Sequence, residues 1–576
     1  FQPRSMGGNA NGSTASDAPF KSLALSAGSR GDSPDSGTPS ATIAAPSRTH
    51  KMGLFGAISY IVGNIVGSGL FITPSGIYKQ VGSVGFSLVI WAVGGLIAML
   101  GSFCYVELGT SIRRSGADFA YICYVKWYPI AFAFMCCGCL IQYPATLAIQ
   151  AETFAEYVFE GAGMRLCDPS ATYYTKKLTG FALIWLLLFL NFFSLKTFVA
   201  RFNIIASIAK IAATLMVVVI GFYFLIFKGW TQNLADPFNW EKSTITAGST
   251  VTALFAGLYS YDGWDILNFG AEEIERPKRT MPLAIVIGMT MIAAIYVAVN
   301  VAYFVVLDAE SFATSPAVAQ TFATKTLGGA QVIIPIFVAL LLIGSLNSTM
   351  FSASRYLQAA GRRGHMPRFL AGIHPASDSP RAALFVHVLL GMAFSFAGDL
   401  DTLISYASFV MWSQRAITMT ALLYIRLWHL PVHPDGMHMP LVMLVLFGVI
   451  CAGLIIVNII TDFETAVVSL AMLAGGLLFF CVFLFRRALP SFAVYRRVTG
   501  YLNDTTTRFM QIIFNIVPDE QPDDDDEYVS PRLTTNDKVH PVVVLKNPSF
   551  VDQRSLSAST CDSPPSLRHR ATVERY

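Results

Sequence analysis

Two stretches of this chain carry residues able to hold a charged solute where water is scarce. The first is Ile61-Val-Gly-Asn-Ile-Val-Gly-Ser-Gly-Leu-Phe-Ile-Thr-Pro74, in an apolar segment from about 53 to 78. Its centre, Gly67-Ser68-Gly69, is poor in helix formers, since glycine costs about 1 kcal/mol against alanine inside a helix. A helix that opens there bares N–H and C=O groups that lipid cannot satisfy. Half-helices meeting at such a break are a means of holding a charged solute at mid-membrane. A glycine-rich packing face is the other reading of the same residues. The second stretch is Phe255-Ala-Gly-Leu-Tyr-Ser-Tyr-Asp-Gly-Trp-Asp-Ile-Leu-Asn268. It sets Asp262 and Asp265 at bilayer mid-depth, where a charge costs at least about 2.5–3.5 kcal/mol on insertion scales and so points to function. Elsewhere the sequence offers no nucleophile with a paired base, no phosphate loop and no metal spacing. The nine cysteines follow no paired C-x-x-C metal or redox pattern, so neither an enzyme nor a bound metal or cofactor is expected.

The elements that must position these stretches are membrane helices. Hydrophobic residues make up 54% of the chain and charged ones 13%, about half the share of a soluble protein. A net charge of +4 gives no argument for nucleic acid; the placement of the charges is informative instead. Residues 1–50 are rich in Ser, Gly, Pro, Ala and Thr and read as a disordered tail. About twelve apolar spans follow in a domain from about 51 to 490. Two five-span halves, at about 53–227 and 247–425, precede two further helices that end near 487. The two special stretches lie in the first span of each half, one starting inside and the other outside, the pattern of an inverted repeat. Arg113, Arg114, Arg201, Lys278, Arg279, Arg355, Arg362, Arg363, Arg426 and Arg486 crowd one set of connections. The positive-inside bias makes that set cytoplasmic and puts both termini there. Phe509, Ile512, Ile513 and Ile516 mark a segment within 491–520 that lies on the membrane surface or packs under the bundle. Residues 521–576 read as a second disordered cytoplasmic tail.

Gly63-Asn-Ile-Val-Gly-Ser-Gly-Leu-Phe-Ile-Thr-Pro74 resembles the first helix of the light subunits of heteromeric amino-acid transporters, L-type and b0,+-like members of the amino acid–polyamine–organocation superfamily. The likeness continues through Glu107-Leu-Gly-Thr110, Ser115-Gly-Ala-Asp118, Tyr261-Asp-Gly-Trp264, Met281-Pro-Leu-Ala-Ile285, Gly344-Ser-Leu-Asn-Ser348 and Gly361-Arg-Arg-Gly-His-Met-Pro367. It implies an all-α membrane protein with a LeuT-type bundle of inverted repeats that exchanges L-amino acids by alternating access. By this resemblance the amides of Ser68 and Gly69 receive the substrate carboxylate, in line with the positive end of a half-helix. Gly67 and Gly69 permit close approach. The carbonyls of Ile65, Leu258 and Tyr259 receive the ammonium, and the Tyr259 ring gates the site.

Lys210 occupies what is a sodium site in related carriers, which implies sodium independence. A lysine there can also snorkel to the cytosolic interface. Asp262 matches members that exchange dibasic as well as neutral amino acids. Three positions depart from the family: Asp265 where asparagine is frequent, Tyr143 where a cation is usual, and Arg415 in an apolar span. A cation lost in one helix and gained in another suggests that Arg415 pairs with Asp262 or Asp265. That pairing would favour large neutral substrates. Snorkelling of Arg415 is the other reading. Cys167 is the one cysteine expected in an extracellular loop. It matches the family's disulfide to a single-pass glycoprotein heavy subunit at the plasma membrane. A dibasic or proton-coupled carrier and a non-transporting amino-acid sensor are the alternatives.

Overall fold

The computed structural model describes residues 52–517, apart from 113–116, 165–166, 194–195, 239–242, 244, 270–273, 376, 378, 435 and 486–487. Both expected tails lie outside the described residues, as do Arg113, Arg114 and Arg486. Among the described residues the fold is helical, with two isolated bridges and no strand.

Every expected span is represented by a helix. The first span is split into Leu54–Ile65, Gly69–Ile72 and Pro74–Val81. Val66 turns out to an extended conformation (φ −67°, ψ 95°), which ends the first piece. Pro74 opens the third piece at a position where its missing N–H costs nothing. The second span, Val84–Ser111, is unbroken. In the third, a π-helical turn at Gly138–Gln142 precedes Tyr143–Ala162 and accommodates Pro144, which cannot donate to the helix ladder. The fourth and fifth spans are Pro169–Phe192 and Lys196–Phe227.

The sixth starts at a capping box between Thr246 and Ser249, runs to Ser260, and resumes as Ile266–Phe269. Spans seven to twelve are built on Pro277–Val306, Ile333–Arg362, Arg381–Phe394, Leu400–Leu427, Leu441–Thr461 and Phe463–Phe479. The ninth and tenth are separate helices, because Asp399 caps the tenth by accepting from the Thr402 amide at 3.1 Å.

Nine of the described helices are long and apolar enough to cross a membrane by length and composition alone. The sixth, ninth and tenth spans fall outside that set for physical reasons. The sixth breaks after 14 residues and the ninth is 14 residues long. The tenth carries Ser405, Ser408, Gln414 and Arg415. Shortness and polarity mark helices enclosed by others rather than bathed in lipid.

The segment after the twelfth span is the helix Ala493–Phe514. Its Tyr495, Thr499, Asn503, Thr507, Met510 and Phe514 face the protein, while Val494, Val498, Tyr501, Phe509 and Ile512 are exposed. The exposed side thus carries apolar side chains beside Arg496, Arg497, Asp504 and Arg508, the mixture of a helix lying at a membrane surface. Beyond it, Val517 and Ile373 exchange backbone hydrogen bonds of 2.8 and 2.9 Å. The Arg381 guanidinium donates to the carbonyls of Phe192 and Phe514. The segment that follows this helix is thus strapped to the connection between spans eight and nine.

Candidate substrate site

The two breaks touch. A Cβ on Gly69 would lie 2.6 Å from the Ser260 Cα, closer than any real side chain allows, so only glycine lets the two backbones approach this far. The Thr73 and Ser260 hydroxyls are 2.7 Å apart, and Thr73 also donates to the Gly69 carbonyl. The Asn64 side-chain amide donates to the Gly263 carbonyl at 3.0 Å. Gly263 holds φ +95°, a region that side-chain-bearing residues avoid, and this keeps the sixth span open between Ser260 and Ile266.

The expected ligand groups stand as follows. No side chain caps the half-helix Gly69–Ile72, so the Ser68 and Gly69 amides stand at an uncapped helix start. Gly67 lies between the half-helices, facing Ser345 of the eighth span. The Ile65 carbonyl has lost its helical partner and accepts from the Tyr296 hydroxyl at 2.9 Å. The Asp262 amide bonds to Tyr259 instead of Leu258, which leaves the Leu258 carbonyl without its helical donor and occupies one lone pair on Tyr259. Tyr259 is half-buried in the last turn before the break.

Lys210 points inward. Its Nζ donates to the Gly63 carbonyl at 2.8 Å, one residue before Asn64, so it is not snorkelling. Arg415 is buried at 3% exposure and bonds Asp262 at 2.6 Å, with Asp262 itself 42% exposed. Its guanidinium carbon lies 4.6 Å from the Trp264 ring centroid and 4.9 Å from that of Trp412, where cation–π attraction offsets part of its desolvation. Of the two partners left open by the sequence, the ion pair is with Asp262. Asp265, half-buried in the same turn, makes no ion pair among the described residues. Gly63 and Asn64 are exposed, whereas Gly69 to Pro74 are buried and the Phe71 carbonyl is sealed by the Tyr157 hydroxyl at 3.0 Å.

A family model described as amino acid permease matches residues 52–484. The chain belongs to the amino acid permease family. It is 61% identical over 486 residues to amino acid transporter protein 6 of Caenorhabditis elegans, covering 84% of this chain and 92% of that one. The human cystine/glutamate transporter is 35% identical over 471 residues, 82% of this chain and 91% of its own. The human b(0,+)-type amino acid transporter 1 is 31% identical over 473 residues, 82% and 94% of the two chains. This permease is therefore a multi-pass membrane protein that transports amino acids, and not an enzyme.

The permease has site residues that the sequence left unmarked. Asn64 was visible as a lone amide in an apolar run, but its reach to Gly263 was not. Tyr296 resembles any aromatic in a span. Below the pair, Asp118 accepts from Thr418 at 2.7 Å and from Tyr105, joining spans two and ten to the short helix Ala117–Tyr124. At the other end of the tenth span, Arg426 grips both oxygens of Glu107, through Nε at 2.7 Å and through Nη2. Cys167 is exposed in the turn leading to Asp168, which caps the fourth span.

Proposed function

We propose that this permease is a sodium-independent exchanger of L-amino acids, chiefly large neutral ones, working by alternating access across the plasma membrane with both termini in the cytoplasm. The observation that carries the reading is the meeting of two broken helices, with an uncapped helix start on one side and carbonyls without helical partners on the other. A zwitterion presents a carboxylate and an ammonium, the charges complementary to those two sides. The Ser68 and Gly69 amides suit the first and the Leu258, Tyr259 and Ile65 carbonyls the second. Tyr259, at the edge of the break, is placed to cover the substrate.

Lys210 supports the sodium-independent part. Its ammonium holds the Gly63 carbonyl and puts a fixed cation where the family resemblance places the sodium site of related carriers. The Asp262–Arg415 pair supports neutral cargo, because the carboxylate that would attract a dibasic side chain already has a counter-charge. The half-exposure of Asp262 favours dibasic cargo as a second reading, since a substrate cation can compete for it from the open side. With the termini in the cytoplasm, the exposed side at Asn64 is the cytoplasmic one. Cys167, exposed on the opposite side, then suits a disulfide to a glycoprotein heavy subunit.

Counterflow in proteoliposomes tests the reading. Internal unlabelled leucine should accelerate uptake of labelled leucine equally with and without sodium, and unlabelled lysine or glutamate should compete weakly. Strong competition by lysine selects the dibasic reading. Uptake that follows a pH gradient and ignores internal amino acid overturns exchange.

A further inference from the structure

Among the described residues nothing covers the outer face of the helix Ala493–Phe514, where Val494, Val498, Tyr501, Leu502, Phe509 and Ile512 are each between 50% and 82% exposed. Both ends of this helix are held at the ends of membrane spans. The Tyr495 hydroxyl donates to the Phe483 carbonyl at 3.2 Å, in the turn that closes the twelfth span. At the other end the Phe514 ring packs edge-on to Phe192, the last residue of the fourth span, and beside Phe385 of the ninth, with centroids 5.8 and 5.3 Å away. Midway, the Asn503 side-chain oxygen accepts from the Arg368 amide at 3.1 Å, in the connection that follows the eighth span. The fourth, eighth and twelfth spans end on the side where the ninth begins, so all these anchors share one face of the bilayer. A helix of 22 residues is about 33 Å long, and with both ends at that level it runs along the surface instead of projecting from it. Arg496, Arg497 and Arg508 are exposed on it against a single acid, Asp504. Among the described residues none of the three arginines enters an ion pair. Arg497 and Arg508 lie three turns apart on one edge of the apolar face, where a long side chain reaches from the acyl boundary to a phosphate.

We propose that this face is a docking surface for anionic phospholipid: the apolar side chains enter the adjoining leaflet, and Arg496, Arg497 and Arg508 engage its headgroups. Water over this face would leave the apolar stripe wetted, and a neutral leaflet would leave the arginines without a counter-charge. Naming that leaflet cytoplasmic rests on the proposed topology. The docking itself goes beyond the exchange reading and does not depend on it. Because Asn503 holds Arg368 and Val517 pairs with Ile373, a helix fixed on lipid also holds the connection between spans eight and nine.

The test is hydrogen–deuterium exchange of the full chain in nanodiscs of phosphatidylcholine alone and of phosphatidylcholine with about 30% phosphatidylserine, which offers anionic lipid on both faces and so is indifferent to topology. Amides of residues 493–514 should exchange more slowly with phosphatidylserine by about threefold or more, as the helix is held down on the surface. Salt at about 0.5 M should remove most of that gain by screening. The combined variant Arg496→Gln, Arg497→Gln, Arg508→Gln should show no protection that depends on phosphatidylserine. Asp504→Asn, which removes the one opposing charge, should show at least as much as wild type. Peptides of the fourth span, followed in the same samples, report whether each variant is folded. Equal exchange of 493–514 in the two lipids by wild type, or a lipid-dependent gain that survives in the triple variant, overturns the proposal. Protection found only in discs that hold two copies of the chain assigns the face to a second copy and overturns it as well.

Discussion

The tenth span carries two arginine–carboxylate pairs, eleven residues or about 16 Å apart along one helix, and they are built differently. Arg426 meets Glu107 with two nitrogens on two oxygens, and the pair is further satisfied by the Met439 amide and carbonyl. Glu107 is 2% exposed. Arg415 meets Asp262 through one nitrogen, its Nη1 is buried with no partner, and its carboxylate is open on one side. A fully satisfied pair locks two helices in every state. A half-satisfied pair is poised to exchange partners, and it sits on the turn that closes around substrate in the proposed mechanism. The same chemistry thus serves as a fastener at the helix end and as an adjustable contact at its middle.

Breaking the fastener should have the largest effect. Glu107→Ala leaves the part-buried Arg426 guanidinium and the Met439 amide without their carboxylate, so folded material in detergent should drop steeply on size-exclusion analysis. Normal yield and melting temperature would mean that the two pairs do not differ in kind. Arg415→Ala should leave the bundle folded but cut exchange by about tenfold or more, since Asp262 is then free to draw the turn or a substrate cation to itself. Arg415→Ala with Asp262→Asn should restore most of the exchange; no rescue in initial rates rejects the coupling. Lys210→Met removes one charged hydrogen bond, worth about 1.5–3 kcal/mol where buried, from the half of the first span that precedes its break. Uptake should fall about tenfold with Arg415 and Asp262 intact, and added sodium should not restore it. Cys167→Ser should have the smallest effect: unchanged exchange per molecule, with loss of a higher-mass species on non-reducing electrophoresis of native membranes.

What was legible in the sequence is what depends on local composition. Gly67-Ser68-Gly69 and Tyr261-Asp-Gly-Trp264 announce their breaks, because a helix cannot ignore such residues. Arg415 was legible as a charge that lipid would not tolerate and that needed an acid. Its choice of Asp262 over Asp265 was not, because three residues in a non-helical turn can point anywhere. Lys210 left two directions open, and only helix packing turns it toward Gly63. Asn64, Tyr296 and Asp118 act through carbonyls or hydroxyls some 36 to 300 positions away, and such reach follows from crossing geometry rather than from any pattern. The strap from Val517 to Ile373 was hidden for the same reason, while the apolar stripe of Ala493–Phe514 was readable by its spacing but not by the side it presents.

The most direct test is hydrogen–deuterium exchange of the purified permease with and without saturating leucine. The account expects protection concentrated in peptides spanning 65–70 and 257–264, as the Ser68 and Gly69 amides take up the carboxylate and the second break closes on the ammonium. Unchanged exchange in both segments, in a preparation that performs counterflow, would place the amino acid elsewhere and contradict the account.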